Sequence, residues 1–164
     1  MTQGLFLCAD IGTSSLKVCV FDQSGNILFS TKREYPTLSP APGYAEQDPG
    51  EIFSALAGAV KEAVSSFPGS SFEALSFDTM LHSLLLVDGN FTPLAPLWNW
   101  MDTRSFQEVE EFRESYEKER LYELTAAPLH TIYHPSRILW FRKHHGDLWE
   151  RVSKILSIKD WVLV

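Results

Sequence analysis

The segment ADIGTSSLK, near the start of the chain, contains residue types that bind phosphate oxygens and a divalent cation. Gly12 lets the backbone of a tight turn approach a ligand, and Thr13 and Ser14 offer amides and hydroxyls to phosphate oxygens. Asp10 is suited to hold a hydrated Mg²⁺ that bridges phosphates, and Lys17 adds a positive charge nearby. Plain hairpin turns carry the same residue types, so the spacing alone leaves a phosphate-binding turn and an ordinary hairpin both open.

Largely apolar runs on both sides of this segment predict the strands that would hold the turn. The first two runs are Leu5–Ala9 and Lys17–Phe21, and a third, Ile27–Tyr35, follows the turn-rich sequence DQSGN. Gly25 in that sequence is available for a positive φ. Strands joined by such short turns pair antiparallel, so the chain is expected to open with a three-stranded meander.

The rest of the chain alternates predicted helices and strands, which is typical of an α/β protein. A helix is expected after Asp48, a favourable N-cap residue that is followed by Pro49. Further strands are expected at Phe72–Phe77, Ser83–Val87 and Lys154–Ile158, and short helices at Ser136–His144 and Leu148–Val152. The segment DTRSFQEVEEFRESYEKER is charged and helix-prone, with a mostly solvated face.

The composition argues against several classes of partner. The chain has 164 residues, 45% of them hydrophobic, and a formal net charge of −7, which disfavours binding to nucleic acid or an anionic membrane surface. No run reaches the roughly 20 apolar residues that cross a bilayer. Cys8 and Cys19 lie in apolar runs, where small reduced thiols are common, and no signal peptide is recognisable. A cytoplasmic protein is therefore expected.

Several segments, in order along the chain, resemble one protein family. DIGTSSLK between two strands resembles the first phosphate-binding hairpin of the sugar kinase, Hsp70 and actin superfamily. The segments GYAEQDPGEIF, LSFDTMLHSLLLVD, LWNWMDTRS, TAAPLHTIYHPSRILWFRKHHGDLW and ILSIKDWVLV resemble FGGY-type carbohydrate kinases, gluconokinases and xylulokinases among them. The resemblance implies an α/β, ribonuclease H-like fold (actin/hexokinase/Hsp70 superfamily). That fold has a mixed sheet with an antiparallel opening meander and flanking helices, here incomplete at its C-terminal end.

The resemblance also implies a reaction, the ATP-dependent phosphorylation of a hydroxyl of a sugar or sugar acid. MLHS, TAAPLH and SIKDW favour gluconate, with xylulose or another pentulose or polyol as alternatives. ATP and Mg²⁺ would be the cofactors. By the same resemblance, Asp10 would coordinate the magnesium through water, Thr13 and Ser14 with the Gly12 backbone would face the γ-phosphate, and Lys17 would lie near the phosphates.

The substrate-binding residues that the resemblance implies are Leu81, His82, Trp100, Asp102 and Ile132. Leu81 and His82 would face substrate hydroxyls, and Trp100 would pack on the carbon chain. Asp102, with Arg104, would brace its loop. Without the resemblance, His82 reads as a satisfied core histidine, and Asp102 with Arg104 as a weak surface pair. A sugar acid needs a basic partner for its carboxylate, and Arg104 and Arg137 are unassigned candidates.

No catalytic base is expected in this chain, because the aspartate that removes the hydroxyl proton in the family lies beyond the position of Val164. Residues 1–164 would be the N-terminal part of the first, sugar-binding domain. The rest of that domain and a second, nucleotide-binding domain would be absent, so this part should be inactive alone. SIKDWVLV stops without a cap, and Asp160 is expected to start an unfinished element.

Two further interpretations stay open at this point. Apolar surface left uncovered in a partial domain permits self-association as a homodimer. A non-catalytic binding module with an actin-like fold would use the same hairpin, because a fold does not determine a function.

Overall fold

The computed structural model describes residues 4–115 and 118–164, and the chain divides into two compact units. The sheet unit comprises Met1–Thr37, Gln47–Met80 and Ile158–Val164, and the loop unit comprises Leu38–Glu46 and Leu81–Ser157. The strands are β1 (Leu5–Ile11), β2 (Ser15–Phe21), β3 (Ile27–Glu34), β4 (Glu46–Gln47), β5 (Phe72–Thr79), β6 (Leu85–Val87), β7 (Leu97–Trp98) and β8 (Lys154–Leu156). The helices are α1 (Pro49–Ser65), α2 (Phe106–Ser115), α3 (Lys118–Thr125), α4 (His134–His144), α5 (Gly146–Trp149) and α6 (Ile158–Val162).

The sheet unit is built on a four-stranded mixed sheet with the strand order β3-β2-β1-β5. The first three strands form the predicted antiparallel meander, and Gly25 in the second turn has the expected positive φ of 83°. β5 runs parallel to β1, so the chain needs a crossover between them, and α1 lies in that connection. The meander prediction is confirmed.

Helix α1 begins where the sequence predicts. The carboxylate of Asp48 accepts a hydrogen bond from the Gly50 amide at 2.7 Å, and Pro49 occupies the first helical position. Its buried face, Ile52, Leu56, Ala59 and Ala63, packs the helix in the sheet unit. Among the described residues, no helix combines the length and apolarity that a membrane crossing requires.

The loop unit has its own hydrophobic core. Trp98 stacks on Phe141 with ring centroids 4.4 Å apart, and Trp140 meets Trp98 edge to face at 5.0 Å. Leu84 and Leu86 complete the buried cluster. These aromatic side chains come from β7 and α4, so they fix the helix against the loops that surround β6 and β7.

Several predicted elements differ from the structure at their ends: β6 begins at Leu85 and not at Ser83, and α4 begins at His134 and not at Ser136. The helix expected at Leu148–Val152 is α5, because the Trp149 amide already bonds to the His145 carbonyl and starts the helix earlier. The strand expected at Lys154–Ile158 ends at Leu156. Fully buried Ile158 begins α6, so Asp160 lies inside an element instead of starting one.

The predicted helical segment around α2 and α3 also differs in detail. It contains α2 and the start of α3, and residues 116 and 117 lie outside the described part. Its face is mostly exposed, as expected, although Glu108 is only 2% exposed, with one carboxylate oxygen 3.6 Å from Lys143 Nζ.

Candidate functional site

Tyr35 donates two hydrogen bonds to the turn between β1 and β2. We call residues 12–15 the amide turn. The Tyr35 hydroxyl donates to the Gly12 carbonyl at 2.6 Å, and the Tyr35 amide donates to the Ser14 carbonyl at 3.2 Å. Burial, and after it the negative charge of Asp10, raises the pKa of the Tyr35 phenol. The phenol therefore keeps the proton that it donates.

Gln47 bonds to the carbonyl of Thr13, the residue between the two whose carbonyls Tyr35 bonds. Its side-chain amide, 1% exposed, donates to the Thr13 carbonyl at 2.8 Å. The Gln47 side-chain oxygen is buried and has no hydrogen-bond partner among the described residues. Three consecutive carbonyl oxygens, those of Gly12, Thr13 and Ser14, are thus bonded to Tyr35 or Gln47.

This anchoring decides which way the amides of the turn point. All peptide bonds in the described chain are trans, and in a trans peptide the N–H points opposite to the C=O of the same unit. The N–H groups of Thr13 and Ser15 therefore point away from Tyr35, and that of Ser14 points away from Gln47. Amides of consecutive residues in a tight turn are the donors from which concave anion sites are built.

Space exists at the amide turn. Ser14 is exposed and Gly12 and Thr13 are partly exposed, so the turn is accessible to solvent. A Cβ added to Gly12 would lie 3.1 Å from the Ser15 carbonyl oxygen, which is tighter than ordinary packing. Glycine at this position therefore avoids a tight contact with the backbone.

Asp10 lies in a row of charges that crosses the sheet. Lys17 is its partner on β2 and Asp78 its partner on β5, and all three residues are exposed. The Asp78 carboxylate accepts the Thr79 amide at 2.9 Å, so it caps the end of its strand. An exposed carboxylate beside an amide turn fits the one or two carboxylates by which Mg²⁺ is held together with phosphates.

The other predicted site residues all lie in the loop unit, on three segments that we call the Arg137 loops, residues 81–84, 99–103 and 130–133. Leu81 and Trp100 are exposed (72% and 47%), while His82 and Ile132 are partly buried. Trp98 is 1% exposed, so of the two alternating tryptophans one packs in the core and one does not, as the sequence predicts.

His82 adopts an unusual backbone conformation. Its φ is 58°, a left-handed value that costs a non-glycine residue free energy, about 1–3 kcal/mol. Its ring meets the Tyr133 ring edge to face at 5.2 Å, and the neighbouring Ser83 carbonyl lies 3.3 Å from Nε2 of His134. Burial lowers the pKa of His134, so its imidazole is neutral and donates to that carbonyl.

Asp102 does not present its carboxylate to a ligand. It is 1% exposed, and its oxygens accept hydrogen bonds from the Ala45 amide at 2.8 Å and from the Arg104 guanidinium at 2.6 Å. Arg104 also pairs with Glu46 at 2.7 Å and lies 3.4 Å over the Tyr44 ring. Asp102 and Arg104 are therefore a buried brace, not a surface pair and not a substrate contact.

Arg137 is fully buried in α4 and bonds to all three Arg137 loops. Its guanidinium donates to the carbonyls of Thr131, His82, Asn99 and Asp102. Neither it nor Arg104 is open to a substrate carboxylate. Sequence reasoning missed this role, as it missed Tyr35 and Gln47, because most of their partners lie far away in the sequence, for Arg137 up to 55 residues away.

Comparison with known proteins gives a consistent result along the chain. The profile of the N-terminal domain of the FGGY family of carbohydrate kinases matches residues 5–164. The chain is 30% identical over 154 residues to the xylulose kinase of Staphylococcus xylosus, covering 94% of this chain and 32% of that protein. It is 29% identical over 153 residues to the gluconokinase of Bacillus subtilis (strain 168), covering 93% of this chain and 30% of that protein. The chain spans about a third of the length of these relatives.

Solved structures share the fold. The gluconate kinase of Lactobacillus acidophilus superposes with a TM-score of 0.92 at 22% identity, covering 98% of this chain and 32% of that one. The glycerol kinase of Plasmodium falciparum with ADP gives 0.90 at 22% identity, covering 98% and 34%. The predicted ribonuclease H-like mixed sheet with flanking helices is confirmed by these likenesses.

Proposed function

Because the chain belongs to the FGGY family of carbohydrate kinases, we propose that the protein containing it transfers the γ-phosphoryl group of ATP to a hydroxyl of a sugar or sugar acid. Residues 1–164 are the N-terminal part of its sugar-binding first domain. The observation that carries the proposal is the anchoring of three consecutive carbonyls at Gly12, Thr13 and Ser14, which leaves each following amide pointing away from its anchor.

The amide turn receives the terminal phosphate of MgATP, which supplies the phosphoryl group. The amides of Thr13, Ser14 and Ser15 donate to its oxygens, and the hydroxyls of Thr13 and Ser14 add to them. Asp10 binds the magnesium through water, and Lys17 offsets phosphate charge from the neighbouring strand. Fixed donors of this kind stabilise the negative charge on the phosphoryl group in the transition state, and they do not have to rearrange during the reaction.

The substrate occupies the side of the Arg137 loops that carries Leu81, His82, Trp100 and Ile132. Exposed Trp100 offers an apolar face to the carbon chain, and His82, held in its left-handed conformation, offers a ring nitrogen to a hydroxyl. Gluconate is the substrate we favour. Xylulose is the alternative, because relatives named xylulose kinase are as similar to this chain as those named gluconokinase.

The proton acceptor for the sugar hydroxyl is an aspartate in the rest of the protein. The relatives are about three times longer than this chain, which leaves room for that residue and for a nucleotide-binding domain. Residues 1–164 alone are therefore expected to lack activity. Cys8 and Cys19, directly opposite on β1 and β2, are free thiols, which fits the reducing cytoplasm as the protein's compartment.

The test is ADP release by the complete protein with MgATP and gluconate, xylulose or glycerol. The proposal expects one of these substrates to be phosphorylated. It also expects Asp10→Asn to lower kcat/KM about 10²-fold or more. Asp147→Asn, at an exposed position of α5, is the matched control and should retain activity. ADP release with no member of this panel would overturn the proposal, and full activity of Asp10→Asn would overturn the role of Asp10.

A further inference from the structure

Every partner that the described residues give the Arg137 guanidinium is a backbone carbonyl oxygen. Nε donates to Thr131 at 2.7 Å and Nη1 to His82 at 2.7 Å. Nη2 donates to Asn99 at 2.9 Å and to Asp102 at 3.3 Å. A guanidinium has five N–H groups in a rigid plane, so one side chain here serves four carbonyls from three separate loops.

The four carbonyls occupy particular places in those loops. The Asn99 carbonyl belongs to the peptide unit that leads into Trp100, and the Thr131 carbonyl to the unit that leads into Ile132. The third belongs to His82 itself, the residue with φ 58°. Fixing a carbonyl fixes its planar peptide unit, and thereby the direction in which the next side chain leaves the backbone.

The surroundings of Arg137 fit a permanent cation that no ligand neutralises. Burial lowers the pKa of the guanidinium to about 10, an effect that the negative charge of Asp102 opposes and the positive charge of Arg104 reinforces. Arg137 therefore stays protonated at neutral pH. Its charge is offset by carbonyl dipoles and by a carboxylate already bonded to Arg104, and full burial closes the guanidinium to a substrate carboxylate.

We infer that Arg137 is a positioning residue that sets sugar affinity, because one side chain bonds to peptide units next to His82, Trp100 and Ile132 in three loops at once. The inference rests on the proposed sugar kinase function. It separates this residue from the amide turn, whose anchors Tyr35 and Gln47 lie in the sheet unit. Loss of the guanidinium should therefore affect the sugar and not the nucleotide.

The test compares Arg137→Lys with Arg142→Lys in the complete protein. A lysine keeps the charge but donates from one atom, which cannot reach four carbonyls in different directions. Arg142 is exposed on the same helix and is the matched control. We expect the KM for gluconate or xylulose to rise about tenfold in Arg137→Lys. The KM for ATP should stay within about twofold, and Arg142→Lys should match the wild type.

A second measurement needs no turnover. Amide hydrogen exchange should accelerate in residues 81–84, 99–103 and 130–133 of Arg137→Lys, while α1 and the β1–β3 meander keep wild-type exchange. Arg137→Gln, which retains two donors on a neutral amide, serves if the lysine variant does not fold. An unchanged KM for the sugar, equal shifts in both KM values, or uniform exchange across the protein would overturn the inference. If the wild type phosphorylates no sugar but exchange accelerates only in the three loops, the kinase proposal fails and the positioning of the loops by Arg137 stands.

Discussion

The amide turn of the sheet unit and the Arg137 loops of the loop unit are held by different kinds of hydrogen-bond donor. In both, donors bond to backbone carbonyls and leave the ligand side to other groups. The turn is held by neutral donors from two residues, Tyr35 and Gln47, whereas the loops share one buried cation, Arg137. The difference teaches that backbone carbonyls of a turn and of a set of loops can be held by different chemistry, by neutral donors in one case and by a single buried cation in the other.

The different free-energy costs of burying a neutral donor and a cation explain how the two regions should respond to mutation. A neutral hydroxyl or amide is cheap to bury when it is hydrogen-bonded, and each such bond contributes about 1 kcal/mol, so the anchors of the turn act one by one. A buried guanidinium costs much more to desolvate and becomes tolerable only when all its bonds are made. The turn should therefore weaken gradually on mutation, and the Arg137 loops should fail together.

The largest effect expected from this comparison comes from Arg137→Met. Methionine fills much of the space but removes the four hydrogen bonds that the guanidinium donates to carbonyls, so the free energy of unfolding should fall by about 4 kcal/mol. Urea denaturation of this variant beside Arg142→Met measures it. The exposed control should change by no more than about 0.5 kcal/mol. A loss below about 1 kcal/mol for Arg137→Met would contradict the view of one central anchor.

Gly12→Ala tests the close approach in the amide turn. The new Cβ would lie 3.1 Å from the Ser15 carbonyl, a backbone atom that cannot swing aside, so we expect a loss of about 1–2 kcal/mol. Gly58→Ala in α1 is the matched control, because nothing lies within 4 Å of its added Cβ and alanine favours a helix. Thermal unfolding should show opposite signs for the two variants, and equal signs would break the argument from close approach.

Tyr35→Phe removes one bond to the turn. Stability should fall by about 1 kcal/mol, and the KM for ATP should rise about fivefold with the KM for sugar unchanged. Tyr122→Phe, at a 57% exposed position, is the control. Because folding raises the pKa of Tyr35, wild-type stability should fall as the pH rises past about 10, the ordinary tyrosine value. The part of this stability loss that comes from Tyr35 should be absent in Tyr35→Phe. If stability depends on alkaline pH in the same way in both proteins, Tyr35 does not hold the turn.

Gln47→Met should have the smallest effect on stability. It removes the donor to the Thr13 carbonyl, but it also removes a buried oxygen without a partner. The two changes oppose each other, so the loss should stay below about 1 kcal/mol while the KM for ATP still rises. Combined with Tyr35→Phe, the losses should be close to additive, as independent anchors require. A strongly cooperative loss would make the turn resemble the Arg137 loops.

Sequence reasoning succeeded where the physics is local. The meander, the positive φ of Gly25 and the Asp48 cap each depend on a few neighbouring residues, and the structure has all three. It placed α5 wrongly, because the capping carbonyl of His145 has no signature in side-chain type. It did not identify the roles of Tyr35, Gln47 and Arg137. These side chains act through hydrogen bonds to backbone carbonyls, and only the folded structure shows those bonds.

The most direct test of the account is a crystal structure of the complete protein with Mg²⁺ and a non-hydrolysable ATP analogue. The measurement is the distance from the backbone nitrogens of Thr13, Ser14 and Ser15 to the terminal phosphate oxygens. We predict at least two of these at about 2.7–3.2 Å, with Asp10 reaching the magnesium through water. Phosphates bound with all three nitrogens beyond about 4 Å would contradict the claim that carbonyl anchoring builds the phosphate site.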